Sequence, residues 1–435
     1  MEVVIMNKMS KRAYEHTRFF TEDCGQRIAG TPQVLKASDY ILDYYRENGI
    51  MTDTHEFEVP VSTIKKSVLQ VYRNDAWEDI RHTPAIFSKA TPEGGMDLEL
   101  VYVENGNIAS FKTKDVRGKA ALICRDVYFE YPDINMYKRL YEYGAAAVIY
   151  TTTDGHWDVP FVYANFETMH EEFTIPTFVI HWKTALELLN SGVNKVHLEF
   201  DFEIELGKTR TTIGVVEGSG DTDESIVVCA HLDSAISSVG AADDVAGVAM
   251  VMELARYYNE EAKAGRRPEK MIRFIAWSGH ECGLHGSKYY LKDHMDIYDK
   301  TRFVLNYDIV GNTLSNYSTV GGFNDEVREK LNEITASLDL EWAVTAAPMV
   351  CDTLNFAAKE IPQITLSAGF FCGNHTKYDS LDLISPEGFD HPLMFSEAVI
   401  NWAANETVSQ GYPEELNEGM RACCEMYGWG MFDIV

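Results

Sequence analysis

From Thr212 onward, short apolar runs alternate with longer stretches whose apolar residues recur every three to four positions. IVVCA is followed by AGVAMVMELARYY, MIRFIAW by GLHGSKYYLKDHM, and RFVLNYDIV, after a loop, by EVREKLNEITASL. This alternation calls for an α/β fold with a mostly parallel, doubly wound sheet and helices on both faces, since parallel neighbours need a crossover and the crossover helices cover the sheet. Further on, Ser385-Pro386-Glu387 supplies an N-cap, a first-turn proline and a first-turn acid for a helix reaching Trp402.

Ahead of that region, Ala37 to Glu47 has helical spacing stopped by Asn48-Gly49, and HEFEVPVSTIKKSVLQVYR alternates like a strand. Between about Lys66 and Lys208 the texture changes to short β-type runs, LELVYV, RGKAALICR, GAAAVIYTTT and IPTFVIHW. They predict a smaller β-rich domain with one or two helices, inserted into the main one. The chain divides accordingly into residues 1–65, which begin the main domain, an insert at 66–208, and residues 209–435, which complete it.

Composition narrows the partners. With 67 acidic against 38 basic residues the net charge is −29, which argues against nucleic acid or an anionic membrane. No run approaches membrane-spanning length, and MEVVIMNKMSKRAYEH returns to charge too early for a secretory signal, so the reading places the chain in the cytoplasm. Eight cysteines without a CxxC pair read as reduced thiols, several packed inside apolar strands.

Three residues able to bind metal stand just beyond apolar runs: His231, Glu281 and Asp308. In an open α/β sheet the crevice beyond the carboxyl ends of the strands is where ligands bind. Asp243 and His375 lie in the loops SVGAADDVAG and CGNHTKYD. Two imidazoles and three carboxylates suit a pair of divalent cations, zinc first, although cobalt and manganese accept the same donors. Singly, each residue has a plainer explanation: a satisfied core histidine, a helix cap at Asp244, a surface loop at His375. Asp233, two residues after His231, shares its face in extended geometry, and its carboxylate can take the second ring N–H. Asp243 has two oxygens with which to bridge two cations. His280 and Glu281 are adjacent and cannot both point one way in an extended chain; one contacts metal and the other faces the water. His285 and His294 read as helix-surface residues, and the donor set is complete without Cys282, Cys351 or Cys372.

The ordered motifs HLDS, GAADDVAG, WSGHECGLHGS, NYDIVG and NHTKYD resemble the zinc-dependent aminopeptidases with a co-catalytic dinuclear site, a family related to bacterial leucyl aminopeptidases, glutamate carboxypeptidase and the transferrin receptor. CGQRIAGTPQVLKASDYI is similar to that family's opening helix, and DVRGKAALI with YGAAAVIY to its protease-associated insert. The resemblance implies an exopeptidase that removes N-terminal residues from peptides with a free amine, using a metal-activated water. It implies His231, Asp243, Glu281, Asp308 and His375 as ligands of two ions, with Asp243 bridging and Asp233 orienting His231. It also places Asp244 where the family often has a cis peptide. The family's general base is an acid preceding the ligand glutamate, whereas here that position is His280. An imidazole with an ordinary pKa near 6.5 suits the task at neutral pH, so His280 is the catalytic candidate, the alternative being a substitute acid from another loop. The alternatives are a catalytically impaired metal-binding homologue, or carboxypeptidase, amidohydrolase or glutaminyl cyclase chemistry on the same fold. A carboxypeptidase calls for a basic clamp, and the nearby Lys288 and Lys377 are single residues that read as surface. Homo-oligomerisation stays open.

Overall fold

Along Ser225–His231 the side chains alternate between the two faces of a sheet. Ile226, Val228 and Ala230 pack on one face with Met9, Ile41, Tyr45, Leu254 and Val399, from the helices Val3–Arg18, Pro32–Glu47, Ala246–Lys263 and Asp390–Asn405. Val227 and Cys229 pack on the other with Trp277, Tyr290 and Tyr298, the last two from the helices His285–Asp293 and Met295–Lys300. Burial on both faces is why these strands read as unbroken apolar runs. The molecule, a computed structural model, is described at residues 3–125, 134–152, 157–159, 173–220, 222–369 and 371–426.

Parallel pairing joins Met271–Trp277 to Ser225–His231, Ser225–His231 to Thr301–Tyr307, and Thr301–Tyr307 to Gln363–Ser367. Ser318–Gly322 runs antiparallel to Gln363–Ser367 and parallel to the edge strand Ala343–Ala346. The chain is therefore mixed α/β, with a mostly parallel central sheet between helices. On the far side of Met271–Trp277 lies Lys195–Val216, antiparallel, and that 22-residue strand pairs along its length with the 23-residue strand Met51–Arg73. This two-stranded ribbon carries hydrogen bonding out of the main sheet and into the insert, where Met96–Tyr102 joins its distal end. The ribbon runs through residues 66 and 208; its register slips by one residue between Ile64 and Lys66 and is unbroken at 208.

The insert is more α/β than the short runs suggested. Met96–Tyr102, Ala120–Arg125, Ala147–Thr152 and Thr177–Ile180 are parallel neighbours, His82–Pro84 closes the edge antiparallel, and the helices Ile134–Glu142 and Trp182–Ser191 pack on the sheet. Its two apolar clusters draw only on residues between Leu69 and Phe202. The short apolar runs of the sequence mark these strands without giving their relative direction. Other elements match the sequence reading with shifted ends. The first predicted helix starts earlier, at Pro32, and the one after Ser385 opens as a 3₁₀ turn, Pro386–Phe389, before becoming α-helical at Asp390. No helix among the described residues is long and apolar enough to cross a membrane.

Leu305 lies in the strand between Ser225–His231 and Gln363–Ser367 and is 1% exposed, whereas Leu314 is 94% exposed. Leu305→Ala is expected to lower stability by about 2–5 kcal/mol through lost burial and a residual cavity. Leu314→Ala should stay within about 0.5 kcal/mol. Denaturant unfolding midpoints of the two variants check this.

Candidate metal centre

The carboxyl ends of Ser225–His231, Met271–Trp277 and Thr301–Tyr307 lie side by side, which brings His231, the Ser278–Leu284 loop and Asp308 to one edge of the sheet. The GAADDVAG loop enters the same edge. Gly240 has φ 54°, and a Cβ there would stand 2.3 Å from the Asp243 carbonyl oxygen, so the turn requires glycine. A Cβ on Gly247 would stand 2.5 Å from Asp244 Oδ1, so the start of the helix Ala246–Lys263 leaves room for that carboxylate. His375 arrives from a loop in which its own φ is 51°, in the left-handed region.

All five residues expected to bind metal are buried. His231 Nε2 is 2.9 Å from Asp243 Oδ1, and His375 Nε2 is 3.3 Å from Asp243 Oδ2 and 3.4 Å from Glu281 Oε2. Two donors about 2.0–2.1 Å from one tetrahedral ion stand roughly 3.3–3.4 Å apart, so the His375, Asp243 and Glu281 spacings suit a shared cation. One donor atom from each of His231, Asp243 and Glu281 lies within 4.8 Å of the others, and the same holds for His231, His280 and Asp308. The two carboxylate oxygens of Asp243 thus face different histidines.

Four acids surround this set. Asp233 differs from the sequence reading: it is the backbone carbonyl of Asp233 that meets His231 Nδ1, at 2.9 Å, while its carboxylate accepts the backbone N–H groups of His280, at 3.1 Å, and Glu281, at 3.0 Å. The strand ends at His231, so alternation no longer governs the residues after it. Asp244 is no helix cap; its Oδ2 accepts the His231 N–H at 3.3 Å, and the peptide between Asp243 and Asp244 is cis. Asp379, which the sequence did not single out, accepts the Ala242 and Asp243 N–H groups at 2.8 and 3.1 Å. Asp352, equally unforeseen, stands 2.9 Å from His280 Nδ1. It opens the 3₁₀ turn Asp352–Lys359, and nothing local in the sequence records a contact 72 residues away. Fully buried Arg27 donates to the carbonyls of Phe20, Gly25, Leu232, Val239 and Gly240 beneath the site. Burial lowers its pKa to about 10, which leaves it charged at neutral pH.

His280 and Glu281 diverge because the chain turns after Trp277. Glu281 faces His375. The His280 ring lies parallel to that of His231, with centroids 3.8 Å apart, and its Nε2 is 4.0 Å from Asp308 Oδ2. His285 is buried and stacked on Tyr289, contrary to the surface position expected of it.

The electrostatics are those of too many acids in a dry place. Burial raises Glu281 to about 7 and Asp308 to about 6, each with a contribution from Asp243, and burial together with Asp243 raises Asp379 to about 7. Asp243 itself is lowered, because the hydrogen bonds from His231 and His375 outweigh the effect of burial. His231 is raised: burial opposes its charge, but Asp243, Asp244 and Asp308 overcome that. Glu281 Oε1 and Asp244 Oδ1 are buried with no hydrogen-bond partner among the described residues. An unsatisfied oxygen on Glu281, whose other oxygen stands 3.4 Å from His375 Nε2, is what a divalent cation would satisfy, so the donor set fits a metal centre.

The sequence profile of peptidase family M28 matches residues 211–399. Aminopeptidase YwaD of Bacillus subtilis is 26% identical over 406 residues, covering 87% of this chain and 81% of that protein. A probable glutamate carboxypeptidase of Zea mays, VP8, is 23% identical over 352 residues, 65% of this chain, and the chain spans about half the length of that relative, 48%. The crystal structure of a peptidase M28 precursor from Shewanella amazonensis superposes with a TM-score of 0.77 at 22% identity, covering 94% of this chain and 98% of that one, a likeness of fold.

The raised carboxyls set a pH dependence with a definite sign. Since the ligands must be ionised to bind metal, uptake should release protons, and apparent affinity should weaken about tenfold or more between pH 8 and pH 5.5. Titration calorimetry in buffers of different ionisation enthalpy measures both. Without metal the sign reverses for stability. Buried carboxyls with raised pKa values contribute fully below their ordinary range near 4, and that contribution is lost as pH rises through 6 to 7. The melting temperature of the metal-free chain should therefore fall from pH 5 to pH 8, and added zinc should restore it.

Proposed function

We propose, for a chain whose residues 211–399 match the profile of peptidase family M28, that it is a metal-dependent exopeptidase releasing N-terminal residues from peptides. The observation that carries this is the buried cluster of His231, Asp243, Glu281, Asp308 and His375 at the strand ends, with a carboxylate oxygen of Glu281 left unsatisfied. The likeness to Bacillus subtilis aminopeptidase YwaD, over most of both chains, supports an aminopeptidase. A carboxypeptidase would need a free cation to hold the substrate carboxylate. Lys377, the nearest candidate by sequence, has its Nζ 3.5 Å from Asp158 Oδ2.

In this reading His231, Asp243, Glu281, Asp308 and His375 would hold two divalent ions, zinc by donor type, with Asp243, whose two oxygens face different histidines, available to both. Bound there, they supply the Lewis acidity that polarises the scissile carbonyl and makes a water nucleophilic near neutral pH. The rest falls to the protein. His280 presents Nε2 to the site, takes the proton of the attacking water there, and returns it to the departing amine. Its 4.0 Å separation from Asp308 is longer than the 3.3–3.4 Å spacings around His375, which suits a proton carrier beside the ligands better than a further ligand. Asp233 holds the backbone of His280 and Glu281, and Asp379 that of Asp243, so both sides of the site are fixed by carboxylate-to-amide bonds. Residues 66–208 act as a protease-associated-like insert covering one side of the cleft. The backbone N–H of Trp157 donates to the Cys372 carbonyl at 2.8 Å, on the loop that carries His375.

His280→Gln should reduce kcat by about 10²- to 10⁴-fold while bound metal, counted by elemental analysis, is unchanged. A chelator should abolish activity and zinc restore it. On a panel of aminoacyl, N-acetylated and carboxy-terminal substrates, turnover should require a free α-amine. A requirement for a free carboxylate would overturn the aminopeptidase reading.

A further inference from the structure

His280 has a partner that no ligand role explains. Asp352, 1% exposed, places Oδ2 2.9 Å from His280 Nδ1, and its Oδ1 accepts the hydroxyl of Ser287. Ser287 in turn accepts from Asn355 Nδ2 at 2.7 Å. Both supporting side chains are fully buried, one in the helix His285–Asp293 and the other in the 3₁₀ turn Asp352–Lys359. These contacts fix the carboxylate before it meets the ring. An ionised carboxylate can only accept, so a bond to Nδ1 requires the proton on that nitrogen and leaves the Nε2 lone pair free. The stack on His231 sets the plane of the ring, and the Asp352 bond sets its rotation within that plane.

We propose that Asp352 is a positioning residue for the reaction: it holds His280 in the Nδ1–H tautomer with Nε2 facing the metal site, so that an imidazole–carboxylate pair does the work of a single carboxylate base. This rests on the reading of His280 as the proton carrier. The pair explains how histidine can stand in that position. A lone imidazole could rotate or carry its proton on the nitrogen that faces the substrate, and in that form it cannot accept the proton of the attacking water. An amide in place of Asp352 can donate to Nδ1 and so favours the wrong tautomer.

The test uses the zinc-loaded full-length chain, aminoacyl anilide substrates, and ¹⁵N-histidine long-range correlation spectra in which His280 is assigned by its loss in His280→Gln. In the native chain His280 should show a protonated Nδ1 and an unprotonated Nε2. Asp352→Asn should shift that pattern and lower kcat by about 10²- to 10⁴-fold, with KM within about threefold and zinc content unchanged. Ser287→Ala, a milder change, should lower kcat by about three- to tenfold in the same way. Asp352→Asn keeping kcat within threefold, Ser287→Ala leaving kcat unaltered, or a native His280 protonated on Nε2 would each overturn the proposal. A zinc-loaded native chain inactive on every substrate would instead overturn the exopeptidase reading, and the ring spectrum would then decide the role of Asp352 by itself.

Discussion

Like charge in a small dry volume is the constraint on which the site and much of its surroundings depend. Asp233, Asp243, Asp244, Glu281, Asp308, Asp352 and Asp379 are all buried around three imidazoles and Arg27. Such a group cannot ionise freely without compensation. The protein compensates in three ways. Backbone N–H groups are turned toward Asp233, Asp244 and Asp379; imidazoles are paired with Asp243 and Asp352; and Glu281 and Asp308 are left with elevated proton affinity. The Arg27 guanidinium binds carbonyls rather than carboxylates, so it ties together the loops beneath the site and adds positive charge without occupying a ligand.

The sheet makes this arrangement affordable in structural terms. Strands packed on both faces by apolar side chains are rigid platforms, and their ends place His231 and Asp308 without help from flexible loops. The loops then need only short-range devices: a glycine at Gly240 where the backbone closes on Asp243, and a left-handed turn at His375. Positioning by backbone amides explains why acids that touch no ligand atom are as deeply buried as those that do.

What was legible in the sequence follows the same division. His231 and Asp308, at or directly after the end of an apolar strand, and Glu281, four residues beyond one, stood out because an ionisable group there has few purely structural explanations. The central sheet was legible for the related reason that its strands are apolar on both faces. Asp352 and Asp379 were not, because their importance lies in contacts to His280 and Ala242, 72 and 137 residues away, which no local periodicity records. Asp233 was noticed for the wrong atom. Alternation assumed an extended chain where the strand had already ended, and the carbonyl rather than the side chain meets His231. Within residues 66–208 the strands were legible but not their direction, because four short runs carry no signal that separates parallel from antiparallel neighbours.

The long ribbon of Met51–Arg73 and Lys195–Val216 is mostly exposed at its middle, around Thr63–Lys66 on one strand and Glu203–Leu206 on the other, where the pairing register also slips. Cores on either side are built from different residues, so few buried side chains are shared across that stretch. A graft that exchanges the outer lobe for another of its kind is best spliced there, through solvent-facing pairs, with the severed strands kept in matched lengths so that both halves inherit intact hydrogen-bond ladders.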